Sequence, residues 1–353
     1  MAINLTIGNN GIFTRAQHAV DKYEQASINE QDELNKATNF IEQYMNGDNQ
    51  KDVTLVSMYY QAIADNCTNA DGSCKREDHL HIGDYLDFKN PTKGTAIANK
   101  EDTGENTDQY YTISENKNQL NWRVLGIDND TGGIKLISGT PLKSEENNGY
   151  LTMQAAEAYV TGYLVPDKIS NELYGTQNYV EKARSVKIED INEVLGVEDD
   201  EIADLDYQAE YFKYGDVYSI YGYTPESYLN GEEQSTISGK VTGYAYRVSV
   251  ENGTEVEIDN QRIYDMLFKD TENYSGYMLA SQGITTDEFN AFFGVGGVET
   301  LYDGVGIIFF SSCFASYGGS SSTSNAIRPV IILENDVKAN QIKKIEDPIE
   351  ETW

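Results

Sequence analysis

The chain predicts an α+β protein, and three observations carry that expectation. Residues 12–46 repeat apolar positions at helical spacing without a break. The period switches to strand-like alternation at residues 82–88, and the final third holds three apolar runs of strand length. With 353 residues there is enough chain for one large core or two. Aromatic residues make up 11%, 26 of them tyrosine, which argues for folded, β-rich structure.

The first element is the most regular. Apolar and small residues recur at Ile12, Phe13, Ala16, Ala19, Val20, Tyr23, Ser27, Leu34, Ala37, Phe40, Ile41 and Tyr44, in steps of three, four and seven. Neither Pro nor Gly interrupts residues 12–46, and Gly47 supplies the left-handed residue that ends helices. The predicted rod is roughly 50 Å long, more than a compact domain needs. Its stripe therefore packs along copies of itself or on another element, and Phe13, Ala16, Val20, Tyr23, Leu34 and Phe40 are its expected assembly positions.

A short helix is expected over residues 53–64, with Val53, Val56, Tyr60 and Ala64 on one side. Cys67 and Cys74 then enclose a turn-forming run, Thr-Asn-Ala-Asp-Gly-Ser, which reads as a small disulfide-closed loop. The rival reading is half of a metal site with His79 and His81, but this spacing is wrong for a zinc knuckle and no second Cys pair follows. His79 and His81 are expected to be exposed linker residues, and Cys313 a buried thiol.

Residues 82–88 open a new domain as a strand. Two further strands flank Asp128-Asn129-Asp130-Thr131-Gly132, whose turn residues make a hairpin. A calcium loop there lacks its closing carboxylate, because Gly139 stands at that position. Residues 153–165, 170–183 and 186–195 read as helices, the last followed by Gly196. Strands are expected over 241–250 and 255–258, and in the apolar runs 276–281, 305–310 and 326–333. The resulting domains are 1–47, the N-terminal helix; 48–80, a helical and disulfide linker; 81–335, the globular domain; and 336–353, a polar tail read as disordered.

Several segments carry a resemblance. Residues 3–13, Arg15-Ala16 and Val20-Asp21-Lys22-Tyr23-Glu24 resemble the part of type IV pilin-like surface proteins of Clostridia and related Firmicutes that follows the membrane-spanning half. That resemblance implies a basic stretch and an apolar span ahead of Ile3, removed here, and hence a membrane anchor only through the missing segment. Ile82-Gly83-Asp84-Tyr85, Asn121-Trp122-Arg123-Val124-Leu125-Gly126, Ala183-Arg184-Ser185 with Ile188-Glu189-Asp190-Ile191, Tyr277-Met278-Leu279-Ala280-Ser281 and Ile327-Arg328-Pro329-Val330 match a domain that commonly follows such a helix. The usual forms are Tyr-Trp-Leu and Val-Arg-Pro-Val, so this chain departs at Met278 and Ile327. The domain is similar to the C-type-lectin-like fold of formylglycine-generating enzymes and retroelement-diversified ligand-binding proteins, which implies a mostly antiparallel sheet over about residues 80–335.

Charge and motifs narrow the function. A net charge of −32, from 26 basic against 58 acidic residues, repels phosphate backbones and anionic headgroups, so nucleic acid and peripheral membrane partners are disfavoured. Acidity of this kind keeps an extracellular protein soluble. No nucleophile elbow, phosphate-binding loop or paired-His zinc motif is present, and the cysteine pair of the formylglycine-generating enzymes is reduced to Cys313. No enzyme chemistry and no cofactor are expected. Calcium is compatible with the carboxylates, but Glu198-Asp199-Asp200-Glu201 is most simply a solvated run.

Binding fits better. In the lectin-like fold a long excursion between late strands displays the ligand surface, which here implies Phe289, Asn290, Phe292, Phe293, Tyr302 and Asp303, with Phe314, Ser316 and Tyr317 nearby. Arg328 is expected to be structural, pairing a carboxylate. The expected function is a cell-surface pilin-like protein that assembles with other subunits through its helix and displays a protein- or glycan-binding adhesion domain. The alternative is a stand-alone secreted ligand-binding protein, and the third reading a hydrolase or modifying enzyme.

Overall fold

A computed structural model describes residues 53–67, 76–89, 94–98, 109–113, 120–142, 151–154, 159–160, 163–197, 215–224, 227, 231–242, 246–249, 256–257, 260–268, 276–286, 291–301, 304–314 and 324–346. The expected rod of residues 12–46 and its six assembly positions lie outside them.

In chain order the elements are α1 (Leu55–Ala64), β1 (Tyr85–Leu86), β2 (Gly94–Ala98), β3 (Gln109–Ile113), β4 (Arg123–Ile127), β5 (Ile134–Ile137), β6 (Thr152–Gln154), β7 (Tyr159–Val160), β8 (Tyr163–Leu164), α2 (Val165–Tyr174), β9 (Val180–Ser185) and α3 (Ile188–Leu195). Then come β10 (Val217–Gly222), β11 (Ser235–Lys240), β12 (Tyr246–Ser249), β13 (Val256–Glu257), α4 (Gln261–Phe268), β14 (Gly276–Thr286), β15 (Ala291–Leu301), β16 (Gly304–Phe314), β17 (Ser324–Ile327), β18 (Pro329–Leu333) and β19 (Lys344–Ile345). The fold is mixed α/β with mostly antiparallel sheets. One sheet runs β19-β1-β4-β5-β18-β9, antiparallel at every junction. A second runs β13-β12-β16-β15-β14-β17-β6, with parallel steps at β12–β13 and β14–β17.

The first sheet lies between two cores, and its strands are apolar on both faces for that reason. Val124, Leu136, Ile331 and Leu333 join one core with α1, α2, Val337 and Ile342. Leu125, Ile137 and Val330 join the other with α3, α4, Tyr277, Leu279 and Val298. In the first core Trp122 stacks edge-on between Phe88 and Tyr174, at 5.6 and 5.3 Å between ring centres.

Four sequence expectations change. Residues 153–165 and 170–183 are not two helices: β6, β7 and β8 precede α2, and β9 follows it. The Glu, Lys, Ala and Arg of β9 favour helix, but the strand pairs with β18 from Pro329↔Ser185 to Leu333↔Val180, and that ladder decides. Residues 291–301 are a strand rather than an irregular excursion. Residues 48–80 are not merely a linker, since Leu55, Val56, Met58 and Ala62 are core and Thr54 caps α1 through Ser57 N at 3.1 Å. The tail expected from residue 336 is structured through residue 346. Leu55 N donates to Val337 O at 2.9 Å, and β19 pairs with β1.

Candidate functional site

Three of the motifs behind the lectin-like resemblance, around Arg184, Tyr277 and Arg328, meet in a buried joint between the two sheets. Arg328, 1% exposed, donates from Nε to Ser138 O at 2.8 Å, from Nη1 to Leu267 O at 3.1 Å, and from Nη2 to Met266 O and to Gly139 O at 3.5 Å. Its expected carboxylate is replaced by four backbone carbonyls. The planar fork, with five N–H groups, serves several acceptors at once. Its guanidinium lies 5.1 Å from the centre of the Tyr277 ring, and Tyr277 Oη donates to Leu267 O at 2.8 Å. Burial pushes the Tyr277 phenol up to about 12, so it stays a neutral donor.

Arg184 and Asp190 close the next part of the joint, with Nη2–Oδ1 at 2.7 Å and Nη1–Oδ2 at 2.5 Å. Burial alone would raise the Asp190 pKa; the Arg184 hydrogen bonds and charge reverse that and hold it below the usual carboxylate range. Asp190 Oδ2 also accepts from Lys187 N at 2.9 Å, securing the start of α3, and Gly196 ends that helix at φ 68°. Ile188 N donates to Ser281 Oγ at 2.9 Å, tying α3 to β14.

At the sheet's other end Gly83, at φ +86°, turns the chain so that its carbonyl accepts from Arg123 Nε at 3.1 Å and Arg262 Nε at 2.9 Å. Asp84 binds Arg262 at 2.6 Å and Lys344 at 2.8 Å, and accepts from His81 N at 2.9 Å. Burial works against its charge, but the hydrogen bonds from His81 and Lys344, with the Lys344 charge, outweigh it and hold the carboxyl at about 2. His79 and His81 are buried, not the exposed linker residues expected: Asp65 lies 2.9 Å from His79 Nε2 and Asp84 3.3 Å from His81 Nδ1. Among the described residues no group of three or more His, Cys, Asp or Glu could hold a metal. Asp128 accepts from Thr131 N at 3.0 Å and Thr131 Oγ1 at 2.9 Å, the turn expected there. Cys67 is disulfide-bonded; Cys74 lies outside the described residues.

This joint supports three long strands. Phe292 on β15 is opposite Thr285 of β14 and Phe314 of β16, and Phe293 is opposite Ile284 and Cys313. A register shift between Phe293 and Gly294 bends the ladder there. Three of the expected ligand residues thus share one end of the β14–β15–β16 meander. Phe289, Asn290, Ser316 and Tyr317 lie outside the described residues, within a few positions of that end in sequence. Tyr302 and Asp303, also outside them, follow Leu301, which pairs with Gly304 at the opposite end of β15, roughly 30 Å from Phe292 along the strand. Of the nine positions, the described residues place three, Phe292, Phe293 and Phe314, at one end of the meander.

No helix among the described residues is long and apolar enough to cross a membrane. No protein family, curated protein or solved structure matches the chain. A cleft formed by residues 87–89, 177–179 and 341–343 was not foreseen, because no local motif marks residues so distant in sequence.

Proposed function

We propose that the chain is a cell-surface, pilin-like binding protein. Residues 12–46 assemble with other subunits, and a head of C-type-lectin-like type displays an adhesion surface for a protein or glycan. The observation that carries the binding part is the register of Phe292, Phe293 and Phe314 at one end of three paired strands. Aromatic positions on a rigid sheet, with Ser316 and Tyr317 close in sequence, supply recognition at low entropic cost. Thr54, just ahead of α1, bridges to Lys338, an arrangement suited to a head carried on a preceding stalk.

The test is a protein and glycan array followed by substitution. Phe292→Ala and Tyr317→Ala each weaken a genuine hit by about tenfold or more, as removal of an aromatic anchor does. Tyr302→Ala, at the position that follows the last residue of β15 in sequence, leaves it unchanged. Hits unaffected by the first two changes in folded protein would remove this reading. For the anchor, the genomic sequence encoding the residues ahead of Ile3 must specify a basic stretch and an apolar span.

A further inference from the structure

A cleft of about 440 Å³ opens between the segment after β1, the turn between α2 and β9, and the approach to β19. Small-molecule sites occupy roughly 300–1,000 Å³. Phe88 and Ile342 line it and belong to the first core. Its backbone is fixed: Asp87 N donates to Lys343 O at 2.8 Å, Gln177 N to Tyr174 O at 3.0 Å, and Glu334 N to Tyr179 O at 2.9 Å. Tyr179 sits at φ 69°, a left-handed conformation that a bulky residue rarely adopts, and it packs against the core. Strain held in place by surrounding structure gathers at ligand clamps.

The rim is polar. Asp87, Lys89, Gln177, Asn178 and Lys343 line it, and among the described residues their side chains have no hydrogen-bond or ion-pair partner. Gln341 spends its oxygen on Lys338 N at 2.7 Å, leaving its amide nitrogen. Two lysines against one aspartate make the lining basic, in a chain with 26 basic and 58 acidic residues.

We propose that this cleft binds a short saccharide carrying a carboxylate. Carboxamides both donate and accept, as sugar hydroxyls do, and Asp87 adds an acceptor. Tyr179, packed against the first core, contributes an aromatic ring to the lining. Lys89 and Lys343 supply charge-assisted donors for one carboxylate. An apolar ligand would strand the polar rim, and a long polyanion would meet the field of the acidic chain. The site is separate from the strand tip and stands independently of that reading.

Calorimetric titration of the full chain with tri-galacturonate and with neutral galactotriose tests it. The uronate binds saturably with Kd on the order of 0.1–1 mM, and the neutral sugar binds about tenfold more weakly, for want of charge-assisted hydrogen bonds. Asn178→Ala with Gln177→Ala weakens both ligands, while Lys89→Gln with Lys343→Gln abolishes the preference. These side chains are at the surface, so an unchanged thermal midpoint separates lost binding from lost fold. Phe292→Ala leaves the titration unaltered, which keeps this outcome distinct from that of the strand tip. Absence of saturable uronate binding, equal affinity for the neutral sugar, or indifference to all four substitutions would overturn the assignment.

Discussion

Asp84 is a buried charge made tolerable by its partners. Its side chain is 2% exposed, yet Arg262, Lys344 and the His81 amide all direct donors at it. Its folded pKa, about 2, lies below the ordinary value of 3.8. A depressed carboxylate pKa contributes stability that is fully present above the unfolded pKa and disappears as pH falls through the folded one. Asp84→Asn should therefore cost on the order of 2 kcal/mol at neutral pH. The gap between wild type and variant should close between about pH 4 and pH 2. Urea unfolding at a series of pH values reads this directly; a gap that stays constant to pH 2 would contradict it. Arg328 solves the same problem without a counter-charge, by spreading its donors over carbonyls. A sequence can mark such an arginine as structural, but the carbonyls it reaches come from Ser138, Gly139, Met266 and Leu267, which no local pattern connects to it.

At the scale of elements, two adjacent glycines in the β4–β5 hairpin have different duties. Gly132 has φ +72° and open space where a Cβ would stand, so Gly132→Ala pays only backbone strain, about 1 kcal/mol. At Gly133 a Cβ would lie 1.8 Å from Leu333 O, inside the neighbouring strand's backbone. Gly133→Ala must push β5 from β18 and should cost several-fold more, about 3 kcal/mol or above. Chemical denaturation of the two variants side by side checks this; similar losses would mean that β18 yields to the added methyl. The hairpin itself was legible from its turn residues, and α3 from its apolar spacing and Gly196, because both signals are local. The β15 strand was not legible. Gly294, Gly296 and Gly297 weaken its strand pattern, and what fixes it is pairing on both edges, with Met278 and Ile308 both opposite Gly297. The same cause obscured the site: Phe292 and Tyr302 look like one loop until the residues between them become a strand.

For the whole molecule, the decisive contacts join segments far apart in the chain. Residues 53–55 meet 337–339, β1 lies beside β19, and Lys344 Nζ reaches both Asp84 and His79 O, the latter at 2.9 Å. A polar composition makes residues 336–353 look like a free tail, since Val337, Ile342 and Ile345 are the only large apolar residues in its first eleven positions. Yet Val337 and Ile342 are each 2% exposed and sit in the first core with Leu55 and Trp122. Ending the chain after residue 336 removes both side chains, roughly 1.5–3 kcal/mol of burial apiece, and strips Asp84 of one cation. Total stability of a domain is about 5–15 kcal/mol, so this truncation should unfold or aggregate the protein at room temperature. Ending it after residue 346 keeps each of those contacts and should leave the thermal midpoint within a few degrees of the full chain. The free-tail expectation requires the two truncations to behave alike, so comparing their midpoints decides whether this last segment closes the fold or merely follows it.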